Sequence, residues 1–285
     1  MFGLGYLSAR VKTHMIYYAE DEDMMEELAQ RIMEHIRKTK EYVLGFDTEM
    51  VDTRVSSHLC IIRNGLRFAP TVMIQLATSN MVAIFHFHVQ LQRKRLCGEP
   101  LQLVLPDTLK QILRSDKVIK VGVATHNDTE GLCRTFGLSS VVQLVDLRAV
   151  GACCRLPFNS LKDVAAWCTS HVIDKDTPHD WCRSLEHGEV AYKELEYAAL
   201  DAIVCWEAHA KLNKHIESLQ PKQTEIATES TTKVESSVKT VGNLLEQLKI
   251  ETPIKAEPLH KAGPVKVEPV NNSGPLSVTI KVAAT

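Results

Sequence analysis

The chain reads as an α/β fold, a mixed β-sheet flanked by helices, followed by a disordered C-terminal tail. Three observations carry this reading. Apolar strand-like runs cluster early in the chain, strand and helix patterns alternate after them, and the composition breaks near residue 219. Neighbouring strands followed by such alternation put helices on the faces of a mixed sheet. Of the 285 residues, 45% are apolar and 24% charged, which is ordinary for a globular chain. A formal net charge of −2 excludes a strongly basic, histone-like binder, so any nucleic-acid contact must come from local patches. No apolar run of about 18 residues occurs, which argues against a membrane span.

The elements follow in order. The opening MFGLGYLSARVKTH reads as a leader strand, with a short organellar signal as the alternative. Residues 20–39 form a helical pattern. Met25, Leu28, Ile32 and Ile36 make one apolar stripe, with acids at the front and Arg37, Lys38 and Lys40 at the back, as the helix dipole favours. Tyr42–Phe46 is an apolar strand. Val72–Ala77 and Met81–Phe87 are two more, joined by the turn signal Thr78-Ser79-Asn80. Pro106–Ser115 is a short helix and Lys117–Val123 a buried strand. Asp128–Phe136 reads as a helix closed by Gly137, and Val141–Asp146 as a strand. Ser160 and Asp163 form an approximate capping box for a helix running through Cys168. A long helix over 189–219 is stopped by Pro221.

Residues 220–285 contain no Phe, Tyr, Trp or Cys and hold six of the eleven prolines. Such a segment buries too little apolar surface to offset its ordering entropy. The domain therefore spans 1–219, with its core about 20–219, and 220–285 is the tail. Within the tail, Val241, Leu244, Leu245 and Leu248 fall at helical spacing, and so short a helix needs a partner to form. Eight cysteines are scattered without a CxxC pair, which fits a reduced intracellular context. Cys168 and Cys182, with His171 and His179 between them, match no common zinc-finger spacing.

The chemistry lies in carboxylates at the ends of these elements. The first strand runs into Asp47-Thr48-Glu49. Residues i and i+2 of a strand face the same way, so Asp47 and Glu49 project together and repel unless a cation sits between them. A hard divalent ion such as Mg²⁺ or Mn²⁺ meets that need. A second strand leads through Val121-Gly122-Val123 to Asp128 at a helix start, where Asp128 taken alone reads as a helix cap. Tyr197 and Asp201 are four apart on one helix face, and taken alone they read as a half-buried phenol and a solvated acid.

Together these motifs are far more specific than their parts. In order, spacing and context, Phe46-Asp47-Thr48-Glu49, Val121-Gly122-Val123 through Asp128, and Tyr197-Ala-Ala-Leu-Asp201 resemble the DEDD superfamily of 3′–5′ exonucleases. The match is to the branch with a Tyr four residues before the last Asp, as in ribonuclease D, Werner-type exonuclease domains and eukaryotic 3′–5′ exonuclease-domain proteins. Met73-Ile74-Gln75-Leu76-Ala77 and Asp146-Leu147-Arg148 resemble the family's intervening segments. The resemblance covers roughly residues 20–219. Met50 departs from it where many relatives carry an aromatic, and Val51–Ala69 is a long connection between two neighbouring strands. The helical nucleic-acid-binding domain that follows the catalytic domain in ribonuclease D has no counterpart in the tail.

The resemblance implies a ribonuclease H-like sheet and hydrolysis of single-stranded nucleic acid, or of a 3′ overhang, from the 3′ end. It assigns two ions, Mg²⁺ or Mn²⁺, to Asp47, Glu49, Asp128 and Asp201. Tyr197 would orient the attacking water, because a phenol with an ordinary pKa of about 10 positions better than it abstracts. Arg54, Arg63 and Arg67 in the long connection, and Arg93-Lys94-Arg95 in a later loop, are candidate phosphate contacts or ordinary solvated surface. His126 reads as a surface residue at a helix start, with substrate contact as the alternative. His86 and His88, placed with period two on one apolar strand, read as structural.

In the tail, Ile254-Lys255-Ala256-Glu257-Pro258 and Val265-Lys266-Val267-Glu268-Pro269 each resemble a SUMO-acceptor site, with Lys255 and Lys266 as acceptors. Modified lysines would suit an intracellular protein of nucleus or cytoplasm, the nucleus preferred. Val278–Val282 is a candidate strand for pairing with a protein partner. Two other functions stay open at this point. One is a nucleic-acid-binding adaptor that keeps the fold and works through partners of the tail, and the other is an endonuclease on the same sheet.

Overall fold

The computed structural model describes residues 9–11, 14–51, 60–63, 66–97, 103–169, 173 and 192–219. Its strands are β1 (Ala9–Val11), β2 (His14–Ala19), β3 (Val43–Met50), β4 (Ile61–Arg63), β5 (Leu66–Phe68), β6 (Thr71–Ala77), β7 (Met81–His86), β8 (Ile119–Gly122) and β9 (Leu144–Asp146). Its helices are α1 (Glu22–Thr39), α2 (His88–Leu96), α3 (Asp107–Arg114), α4 (Thr125–Phe136), α5 (Leu147–Cys153), α6 (Leu161–Cys168) and α7 (Tyr192–Leu219).

Seven strands form one sheet in the order β1-β2-β7-β6-β3-β8-β9. β6 and β7 form the expected antiparallel hairpin, β3 pairs antiparallel with β6 and parallel with β8, and β2 pairs parallel with β7. The sheet is mixed, as the pattern predicts. It also begins before residue 20, because β2 is an inner strand. Its run His-Met-Ile-Tyr-Tyr-Ala lies directly after the basic opening residues and mixes polar and apolar side chains, which hides the strand in a simple apolar scan.

Register assigns the two faces. Tyr17, Ala83, Leu76 and Phe46 form one cross-strand row, and Tyr18, Ile84, Gln75 and Asp47 form the next. Adjacent rows point to opposite faces. α1 covers the Phe46 face, where Arg31 lies over the Tyr17 ring. It buries Met25, Leu28, Ala29, Ile32 and Ile36, is capped by Asp21 onto the Met24 amide, and ends at Lys40 in a left-handed conformation. α4 packs on the same face. α7 covers the other face, with the Trp206 ring edge-on to His14. α5 and α6 pack against α7, and α6 opens with the predicted Ser160–Asp163 capping box.

Three expectations are corrected. The helix assigned to Asp128–Phe136 starts earlier, at Thr125, with Ala124 at its N-cap. Arg93 and Lys94 lie in α2 rather than in a loop, and His88 opens that helix instead of continuing β7. The long connection after β3 contains the antiparallel pair β4–β5. Strands of three residues fall below what alternation can reveal.

Candidate metal centre

Alternation along β3 sends Gly45, Asp47 and Glu49 to the α7 face. Opposite them, α7 presents Ala198, Ala199 and Ala202, all fully buried. These small side chains let the helix backbone settle onto Gly45. A Cβ built there would lie 2.0 Å from the Ala202 carbonyl oxygen and 2.9 Å from the Trp206 amide nitrogen. This close seat brings Asp201, one residue before Ala202, down onto the acids of the strand.

One carboxylate oxygen from each of Asp47, Glu49 and Asp201 lies within 4.8 Å of the others. Asp201 is fully buried, and the two strand acids are half-buried. The solvated Asp201 of the isolated reading is therefore wrong. The helix spacing that makes it face outward on paper makes it face the sheet once α7 is docked. At an effective dielectric of about 20, two full charges at this separation repel by roughly 3–4 kcal/mol per pair. Three carboxylates stay ionised at such distances when a cation offsets them. The donor set is all oxygen and all anionic, which fits a hard divalent ion, Mg²⁺ or Mn²⁺. Among the described residues no other group of three metal-ligating side chains forms.

Tyr197 is half-buried on α7, one turn before Asp201. Asp128 stands differently from the other acids. It is not the cap of α4, because Ala124 holds the N-cap position with φ 61° and donates no side-chain cap. Asp128 is the fourth residue of the helix, buried, and outside the group of three. Its Oδ1 accepts a hydrogen bond from the Thr48 hydroxyl at 2.5 Å. The entry to α4 is tight. A Cβ on Gly122 would come within 2.7 Å of the Thr125 methyl and 2.8 Å of the Phe46 carbonyl oxygen. Asp146 accepts from the Ala124 amide at 3.3 Å and from the Arg148 amide at 2.9 Å, so one carboxylate ties the start of α4 to the start of α5.

The remaining candidates scatter. Arg67 on β5 and Arg93 on α2 are exposed, Lys94 is half-buried, and His126 is exposed as the second residue of α4. Arg54, the side chains of Arg63 and Arg95, Cys182, His171, His179, Lys255 and Lys266 lie outside the described residues, as does the whole of 220–285. The described cysteines are free thiols.

His86 and His88 are structural, as expected, but by another geometry. Their rings stack with centroids 4.3 Å apart, Tyr18 Oη meets His86 Nδ1 at 2.9 Å, and His88 Nε2 meets Glu20 at 3.4 Å. Burial pushes both imidazoles below the usual histidine range and the Tyr18 phenol upward. Sequence reasoning missed Gly45, Thr48 and Gln75. Gln75 is fully buried and sits opposite Asp47 in register, on the same face. Of the three, the period-two pattern around Asp47 contains only Gly45; Thr48 is out of phase with it, and Gln75 is placed by the β3–β6 register.

The sequence matches the family described as 3′–5′ exonuclease over residues 17–217. It is 28% identical over 184 residues to Exonuclease 3′–5′ domain-containing protein 2 of Drosophila melanogaster, a match that covers 63% of this chain and 26% of that one. The chain thus spans about a quarter of that relative's length. The fold is similar to the catalytic core of RRP6 from Trypanosoma brucei, with a TM-score of 0.53, 16% identity, and 74% and 50% of the two chains covered. It is also similar to the Aedes aegypti Nibbler EXO domain, with a TM-score of 0.52, 16% identity, and 75% and 94% covered. Among the described helices none is long and apolar enough to cross a membrane. With β3 and α7 carrying the acids at the predicted positions, on a ribonuclease H-like sheet flanked by helices, the chain belongs to the 3′–5′ exonuclease family, in its tyrosine-bearing DEDD branch.

Proposed function

We propose that this protein is a metal-dependent 3′–5′ exonuclease that removes nucleotides from the 3′ end of single-stranded nucleic acid or of a 3′ overhang. The observation that carries the reading is the convergence of Asp47, Glu49 and Asp201, from a strand and a distant helix, within 4.8 Å. Those three side chains would hold one Mg²⁺ or Mn²⁺, and Asp128 would contribute to a second. Bound divalent ions supply an acidified water and charge neutralisation at phosphorus.

The chain's own residues do the rest. Tyr197, one helical turn from Asp201, orients the attacking water with its hydroxyl. Exposed Arg67 and Arg93, with Arg54 and Arg63 of the same long connection as Arg67, would offer phosphate contacts along the strand, and His126, exposed in the first turn of α4, would contact the terminal nucleotide. Lys255 and Lys266 are the proposed modified lysines of a tail that recruits a protein partner, in nucleus or cytoplasm.

The test uses 5′-labelled RNA and DNA of one sequence, incubated with the full chain and Mg²⁺ or Mn²⁺, with Asp47→Ala as control. A ladder that shortens from the 3′ end and vanishes in the variant is the expected result. Internal fragments would assign an endonuclease instead. Intact oligonucleotides that still bind would assign an adaptor.

A further inference from the structure

The middle residue of the Asp47-Thr48-Glu49 segment points away from the acids that flank it. Alternation sends Thr48 to the Phe46 face, where α4 packs. There its hydroxyl donates to Asp128 Oδ1 at 2.5 Å, across a sequence separation of 80 residues, and both side chains are more than nine-tenths buried. We infer that Thr48 is a positioning residue: its hydroxyl ties Asp128 of α4 to the strand that bears Asp47 and Glu49, and so holds that carboxylate ready for the second ion. This rests on the exonuclease reading above.

Three features single out this hydrogen bond. First, α4 starts without a side-chain cap, through a left-handed Ala124, and the Asp146 contact to its first amide is long at 3.3 Å. The short bond from Thr48 therefore sets where the first turn of α4 lies relative to β3. Second, the tether is neutral. A lysine or arginine here would satisfy Asp128 and also compete with a cation for it, whereas a hydroxyl orients the carboxylate and leaves its charge in place. Third, threonine is stiff at χ1 because its β-carbon is branched. In a strand this presents Oγ1 with little rotameric freedom, which serine does not match.

Thr48 faces the side of the sheet opposite Asp47 and Glu49, so its action on the site is indirect, through Asp128. The measurement is a Mn²⁺ titration of the full chain at pH 7.5, followed by the paramagnetic signal of free Mn²⁺. The wild type is expected to bind in two steps. Thr48→Val keeps the shape and removes the donor, and should weaken the second step by about 10- to 100-fold while leaving the first unchanged. Thr48→Ser should stay within about threefold of wild type. Added to Asp128→Asn, Thr48→Val should change nothing further, because it acts through Asp128.

An unchanged second step in Thr48→Val overturns the inference. So does equal weakening of both steps, or a further loss on top of Asp128→Asn. If Thr48→Val does not fold, Thr48→Ala is judged by the same outcomes. A wild-type chain that takes up no Mn²⁺ overturns the exonuclease reading and this inference together, a result distinct from a two-step wild type with an indifferent Thr48.

Discussion

Gly45 fixes the distance between α7 and the sheet, and Gly45→Ala tests whether that distance assembles the site. The added methyl would lie 2.0 Å from the Ala202 carbonyl oxygen, where real Cβ atoms come no nearer than 3.0 Å. The obstruction is backbone, so no side-chain rotation relieves it. α7 must retreat from β3 by at least about 1 Å, carrying Asp201 with it. Overpacking of this kind costs about 1–3 kcal/mol. In a domain of this size each kcal/mol shifts Tm by about 2–4 °C, so a fall of roughly 2–12 °C is expected in a thermal melt. A misplacement of about 1 Å among groups acting on one reacting centre costs about 10²-fold in rate. Mn²⁺ affinity should fall as well, because one of three ligands withdraws. Ala202→Gly should not rescue the variant, since the clash is with the carbonyl and not with the Ala202 side chain. A Gly45→Ala protein with wild-type Tm and wild-type Mn²⁺ affinity would refute the argument.

Three further outcomes follow from the same structure. Mn²⁺ at a hundredfold excess over its Kd should stabilise the wild type by about 2.7 kcal/mol, and Asp201→Asn should lose that gain while melting higher than wild type in chelator; a variant still stabilised by Mn²⁺ would show that Asp201 is not a ligand. Tyr197→Phe should lower the rate of nucleotide release without weakening Mn²⁺ binding, and a full loss of metal binding would place the phenol in another role. Burial lowers the pKa of His86, and takes that of His209 to about 4, so the unfolded chain binds protons that these rings refuse. Stability should therefore fall as pH drops below about 6.5, by on the order of 1 kcal/mol for His209 between pH 7.5 and 5.5, with His86 acting in the same direction. Urea midpoints at the two pH values check this, with His209→Gln expected to remove its share of the difference.

The acids were legible in the sequence because each is tied to a local period. Asp47 and Glu49 follow from the two-residue repeat of a strand, and Tyr197 and Asp201 from the turn of a helix. What the periods do not contain is which faces meet. Asp201 reads as solvated until α7 is laid on Gly45, and that docking depends on small residues, Gly45, Ala198 and Ala202, that carry no chemical signal of their own. The helix of Asp128 was misjudged for a related reason. Sequence reading looks for a side-chain cap, and α4 has none, since its entry is set by a left-handed Ala124 and by Asp146 from a later strand. The basic run at Arg93 looked like a loop because α2 lacks a strong apolar stripe, and His88 within it packs on His86 instead.

The same logic explains why the Asp-Thr-Glu segment is more than a pair of acids with a spacer. On a strand, a residue between two ligands cannot join them, because it faces the opposite side of the sheet. It can only act on whatever covers that side, and here α4 covers it with Asp128 in its first turn. A strand end flanked by helices on both faces thus gathers two acids of its own and one from the helix seated on Gly45, while Asp128 is tied to the same strand from the other face through Thr48. Their order in the chain, strand, then α4, then α7, is the order of the three motifs, and the sheet converts a linear separation of more than 150 residues between Asp47 and Asp201 into a contact of a few ångströms.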